Sequence, residues 1–180
     1  MMDEDTPVLF TDEYFMRAAL RLAERAADAG EVPVGAVAVR EGMIIAKAWN
    51  QVEMLKDATA HAELLVLTSA AAALGDWRLE DVDIYVTKEP CAMCAGAMVN
   101  ARVRRVIYGL SDPRSGACGG SELNVVNFKG MLHNVEVKSG VLEDECRLLM
   151  QSFFRSVRKA KGDSGRKELS DPDNRKKEEV

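Results

Sequence analysis

Four short β-rich apolar runs, Val34–Val39, Met43–Trp49, Val82–Thr87 and Val103–Tyr108, are interleaved with helical stretches. Such an alternation closes as one sheet with helices on its faces. Glu41-Gly42 between the first two runs predicts a hairpin. Thr11 is placed to cap a helix whose apolar positions Phe15, Ala18, Leu22, Ala26 and Ala29 recur at three and four residues, with Gly30 as its stop. Ala60–Leu74 ends at Gly75, and Pro90 opens a helix over Cys91–Asn100. Val135–Lys138 is a weak strand candidate, and Leu142 to Lys161 reads as a final helix. The expected fold is α/β: a three-layer α/β/α domain over residues 1–161 around a mixed sheet of about five strands. Residues 162–180 are almost wholly polar and read as a disordered tail.

A chain of 180 residues suits one such domain. No stretch has the run of about 18 uncharged apolar residues that a membrane span needs. The start, Met1-Met2-Asp3-Glu4-Asp5, is acidic where an export signal is basic. A cytoplasmic protein is therefore expected, in which Cys91, Cys94, Cys118 and Cys146 serve as ligands or free thiols rather than disulfides. The net charge of −5 speaks against a nucleic-acid partner only until it is divided along the chain. Residues 1–100 carry 8 basic and 17 acidic side chains, and residues 101–180 carry 16 and 12. Arg102, Arg104, Arg105 and Arg114, with Arg155, Arg158, Lys159 and Lys161, place any basic rim in the second half. A solvated helix face is the alternative reading of the last four.

The chemistry lies at two helix starts. Cys91 and Cys94 stand three apart in the first turn of one helix, so both sulfurs project from one face. The positive end of the helix dipole there favours thiolate, the form that binds metal. His61 opens another helix. One imidazole and two thiolates suit zinc, and three protein ligands leave a fourth position for water, as catalytic sites do. Glu63 lies two residues beyond His61, roughly 200° around a helix, and is placed for acid–base work on that water rather than for ligation. A redox Cys-x-x-Cys pair, or a structural zinc closed by Cys118, Cys146 or His133, is the alternative reading. The joint occurrence of His61, Glu63, Pro90, Cys91 and Cys94 favours catalysis, because His-x-Glu with Pro-Cys-x-x-Cys is the signature of the zinc nucleobase deaminases.

Further segments sharpen the resemblance. Glu31-Val32-Pro33-Val34-Gly35-Ala36-Val37, Trp49-Asn50, Thr59-Ala60-His61-Ala62-Glu63, Glu89 to Met98 and Phe153-Phe154-Arg155 occur in that order. Over about residues 10–160 the chain resembles the bacterial tRNA-specific adenosine deaminases. The resemblance implies a cytidine-deaminase-like homodimer that converts the wobble adenosine of an arginine tRNA anticodon to inosine, with one Zn2+ per subunit. It implies that His61, Cys91 and Cys94 hold zinc and that Glu63 moves protons. It also implies that Asn50, Asp112, Phe153, Phe154 and Arg155 meet the anticodon stem-loop. Asn50 and Asp112-Pro113 also suit ordinary turns, though a turn suits Asn50 less well than its substrate role, and one of the two phenylalanines is expected to pack in the core. A free-base or nucleotide deaminase acting on guanine or cytosine, and a non-catalytic zinc-stabilised RNA-binding module, are the competing functions.

Overall fold

The computed structural model describes residues 10–169. Helix α1 is Asp12–Asp28, capped by the Thr11 hydroxyl, which accepts from the Tyr14 amide at 3.3 Å. Strands β1 (Gly35–Arg40) and β2 (Met43–Trp49) form the expected hairpin. Glu41 and Gly42 both adopt positive φ, the geometry a two-residue turn requires. A single turn, α2 (Val52–Leu55), follows where only a polar loop was expected. Next come α3 (Ala62–Leu74), β3 (Val82–Lys88), α4 (Ala92–Asn100), β4 (Arg105–Leu110), β5 (Glu136–Lys138) and α5 (Glu143–Leu169).

The sheet order is β2-β1-β3-β4-β5, with β1 antiparallel to both neighbours and β3, β4 and β5 parallel. Successive side chains of a strand face opposite ways, so each strand serves two cores. Ala36, Ala38, Ile84, Val86, Val106 and Tyr108 face Val66, Ala70, Met98 and Val99 of α3 and α4. Val37, Val39, Tyr85 and Ile107 face Phe15, Met16 and Ala19 of α1 and Cys146 of α5. The mixed three-layer α/β/α architecture is thus present with its five strands.

Gly35 is what allows α1 to lie so close to β1. A Cβ there would fall 2.1 Å from the Ala19 carbonyl oxygen and 2.5 Å from the Ala23 nitrogen, both rigid helix backbone. Gly35→Ala is expected to destabilise the fold by at least about 1–3 kcal/mol, the usual range for overpacking. A denaturant midpoint equal to that of the unaltered chain would refute this packing argument.

Helix α5 departs from expectation in two ways. It runs to Leu169, past the Lys161 end read from the apolar spacing and across Gly162 and Gly165. The rest of the expected tail, 170–180, lies outside the described residues. Its 27 residues also span about 40 Å, whereas strands of six or seven cover about 20–23 Å. Residues 154–161 are exposed except for half-buried Val157. Phe153 is only half-buried and Phe154 is 40% exposed, so neither is the core residue that the sequence reading required of one of them. Their rings meet edge to face, with centroids 5.3 Å apart.

Candidate active site

The site forms where β3 ends and two helices begin, outside the carboxyl end of a parallel strand pair as open α/β sheets favour. His61 is the N-cap of α3, and Cys91 is the N-cap of α4, separated from β3 only by Glu89-Pro90. Their extended backbones aim the side chains at one point between the two helix starts. His61 Nδ1 lies 3.7 Å from Cys91 Sγ and 3.6 Å from Cys94 Sγ, and the three ligand atoms all fall within 4.8 Å of one another. A tetrahedral zinc with Zn–S of about 2.3 Å and Zn–N of about 2.0–2.1 Å sets S···N at about 3.5–3.6 Å. The donor set therefore fits zinc in both chemistry and spacing.

The thiols are not equivalent. Hydrogen bonds from Cys94 and His61 pull Cys91 down to about 3, so its sulfur is a thiolate at neutral pH. That thiolate, together with burial, pushes Cys94 upward. The two sulfurs thus share one negative charge, and a cation between them favours the second thiolate. Contact with Cys91 raises the His61 imidazole. All four cysteines are free. Cys118 and Cys146 are held up to about 12 by burial, as inert thiols outside the ligand group.

Glu63, in the first turn of α3, is 4% exposed and lines a cavity of about 310 Å3 together with Asn50, His61, Lys88, Cys91 and Ser115. That volume is within the range of small-molecule sites. Burial raises the Glu63 carboxyl above its ordinary value, which suits a group that must both take and return a proton.

Two buried glutamates that sequence reasoning quoted but gave no role build the walls. Glu31 Oε2 accepts from Asn50 Nδ2 at 3.3 Å and from the Glu53 amide at 3.1 Å, and Oε1 accepts from the Met54 amide at 2.7 Å. It thereby orients Asn50 and secures α2. Glu89 does the same for the loop after β4: Oε2 accepts from the Asp112 amide at 2.8 Å, and Oε1 accepts from the amides of Cys118 and Gly120 at 3.0 and 2.8 Å. A Cβ on Gly116 or Gly120 would collide with this carboxylate, at 2.3 and 1.9 Å. Asp112 is committed locally. Its carboxylate pairs with Lys88 and accepts from the Arg114 and Ser115 amides and the Ser115 hydroxyl. Partial burial opposes its ionisation, but the Lys88 ammonium and these donors hold its carboxyl well below the usual range.

The MafB19-like deaminase family matches residues 10–158. The tRNA-specific adenosine deaminase of Bacillus subtilis (strain 168) is 48% identical over 160 residues, covering 89% of this chain and 98% of that protein. The chain belongs to the tRNA-specific adenosine deaminase family. Among solved structures, one from a study of A-to-I editing by tRNA:A34 deaminases at the wobble position of transfer RNA superposes with a TM-score of 0.73. It is 43% identical, and the match covers 76% of this chain and 98% of that one. The guanine deaminase of Nitrosomonas europaea superposes at 0.70 with 25% identity, over 81% of this chain and 86% of that one.

In this deaminase, Asn50, His61, Glu63, Cys91 and Cys94 come together, and Asp112 lies one contact away through Lys88. Phe153, Phe154 and Arg155 do not line the cavity. Phe154 and Arg155 instead share a separate surface depression with Met150, Gln151 and Arg158 on α5. The basic rim contracts as well. Arg104 binds the Asp83 carboxylate through two bonds of 2.8 Å, and Arg105 joins Asp83, Asp12 and the Tyr85 hydroxyl. Asp83 and Arg105 pair near the starts of β3 and β4, at the opposite end of the sheet from the site. Arg102 pairs with Glu80, so of the expected rim the exposed cations left among the described residues are Arg114, in the loop after β4, and those of α5.

Proposed function

We propose that this chain is a hydrolytic zinc deaminase that converts adenosine to inosine at the wobble position of a tRNA anticodon, with an arginine tRNA as substrate. The observation that carries the reading is the convergence of Glu63 on a three-ligand His-Cys-Cys group in one small cavity. Kinship to an enzyme of that name supports the choice of substrate. His61, Cys91 and Cys94 hold one Zn2+ per subunit, which when bound supplies a Lewis acid able to ionise water near neutral pH.

Glu63 accepts one proton from the attacking water and delivers it to N1 of adenine as C6 is attacked. It then takes the remaining proton from the new C6 hydroxyl and passes it to the amino group, which leaves as ammonia while C6 becomes a carbonyl. Asn50, oriented by Glu31, reads the base, while the walls set by Glu31 and Glu89 exclude bulk water. The nucleotide must be splayed out of its loop to reach Glu63, at a cost of a few kcal/mol that is smaller for a loop than for a duplex. Asp112 lies near the sugar–phosphate backbone. Phe153, Phe154 and Arg155 meet the stem-loop from outside the cavity. The enzyme works as a homodimer in the cytoplasm. No helix among the described residues is long and apolar enough to cross a membrane.

The likeness to a guanine deaminase supports one rival, a free-base deaminase with the same chemistry. Ammonia release assayed in parallel on anticodon stem-loop RNA, guanine and cytosine separates the two. Release from the RNA alone is the expected result, and release from either free base without RNA turnover would select the rival. The RNA reading also predicts a role for α5. Arg155, Arg158 and Lys159 are all exposed there. Neutralising the three together is expected to flatten the log–log salt dependence of tRNA binding by about 2–3 while sparing zinc. An unchanged slope would remove them from the interface.

A further inference from the structure

Among the described residues lining the cavity, Lys88 is the only lysine or arginine, and the other charged side chains include Glu31, Glu53, Glu63 and Glu89. It is the last residue of β3, three before Cys91, and its side chain is 28% exposed. Lys88 therefore stands on the solvent side of a cavity whose Glu63 wall is almost fully buried. An ammonium offers three donors. The structure gives this one a single acceptor, Asp112 Oδ2. Asp112 has further donors besides it: the Arg114 and Ser115 amides, at 3.0 and 3.1 Å, and the Ser115 hydroxyl also serve its carboxylate. A cation with spare donors thus stands at the edge of an acidic cavity, beside a turn whose Asp112 carboxylate has three further donors.

When the base of a nucleotide enters such a cavity, its flanking phosphodiesters stay on the solvent side. A lysine there meets a phosphate as a compact point charge. We propose that Lys88 is the phosphate-binding residue of this site, contacting a phosphodiester oxygen next to the nucleotide whose base lies against Glu63. This inference rests on the RNA deaminase reading above and adds a specificity determinant to it. The contact lets the cavity distinguish a nucleotide within a strand from a free base, which carries no phosphate to meet the lysine. It is made alike in ground and transition states, so its loss appears in KM rather than kcat.

The test compares the zinc-loaded protein with its Lys88→Met and Lys88→Arg variants. The substrates are anticodon stem-loops carrying natural linkages, or one neutral methylphosphonate 5′ or 3′ of the target adenosine. Lys88→Met is expected to raise KM for the natural stem-loop about 10–100-fold, the scale of a charged hydrogen bond. Its kcat should hold, and its salt slope should fall by about one. One of the two methylphosphonates should impose a similar penalty on the unaltered protein and no further penalty on Lys88→Met, while Lys88→Arg keeps most of the affinity. Full zinc content and an unchanged unfolding midpoint establish that the methionine variant is folded. An unchanged KM in folded Lys88→Met, or penalties from the variant and both linkages that simply multiply, would overturn the proposal while leaving the deaminase reading intact. Failure of the unaltered protein to process any stem-loop would instead overturn that reading, and this inference with it.

Discussion

Glu63→Ala is expected to lower deamination by at least about 10²–10⁴-fold, the range of positioned acid–base catalysis, while zinc content stays at the level of the unaltered protein. The two readouts separate because Glu63 lines the cavity but stands outside the His61, Cys91, Cys94 ligand group. Stability should hold as well. Burial of Glu63 disfavours its charged form, so alanine removes a side chain whose ionisation the fold resists. Inosine formation followed over time, beside elemental analysis of the same sample, checks both halves. Retained turnover would show that another group moves the protons.

Cys94→Ser should show the opposite pattern. The serine is close in size, so the fully buried position at the start of α4 suffers little change in packing. It removes a thiolate from a three-ligand set whose spacing matches a tetrahedral zinc. Disturbing only the partners of metal ligands typically costs 10–100-fold in affinity or activity. Loss of a ligand itself should exceed that, leaving dialysed protein essentially metal-free and inactive. Glu63→Ala and Cys94→Ser therefore lose the same activity by different routes, told apart by bound zinc. Full zinc in Cys94→Ser would mean that His61 and Cys91 have other partners.

The elements legible in the sequence are those whose signal is local. Strand alternation, the Glu41-Gly42 turn and the caps Thr11 and Gly75 each depend on a few neighbouring residues. The metal group was legible because Cys91 and Cys94 share one helical turn and His61 opens another, a spacing the chemistry dictates. What stayed hidden was long-range. Glu31 and Glu89 receive backbone amides from segments 22 to 31 residues away, and no spacing rule marks a carboxylate for that duty. The Lys88–Asp112 pair, 24 residues apart, is hidden for the same reason. The phenylalanines of α5 read as half core because helical spacing cannot reveal how exposed that part of the helix is. The charge split along the chain located the basic half but not its two ends. Arg104 and Arg105 turned out to staple α1 and β3 far from the site, leaving Arg114 and α5 as the exposed part of the expected rim.

Incubation of the zinc-loaded protein with total tRNA, followed by sequencing for adenosine-to-inosine changes, tests the central claim most directly. The expected result is conversion confined to position 34 of an arginine tRNA, absent with Glu63→Ala. A tRNA pool left unchanged, with ammonia released from guanine or cytosine by the same preparation, would contradict it.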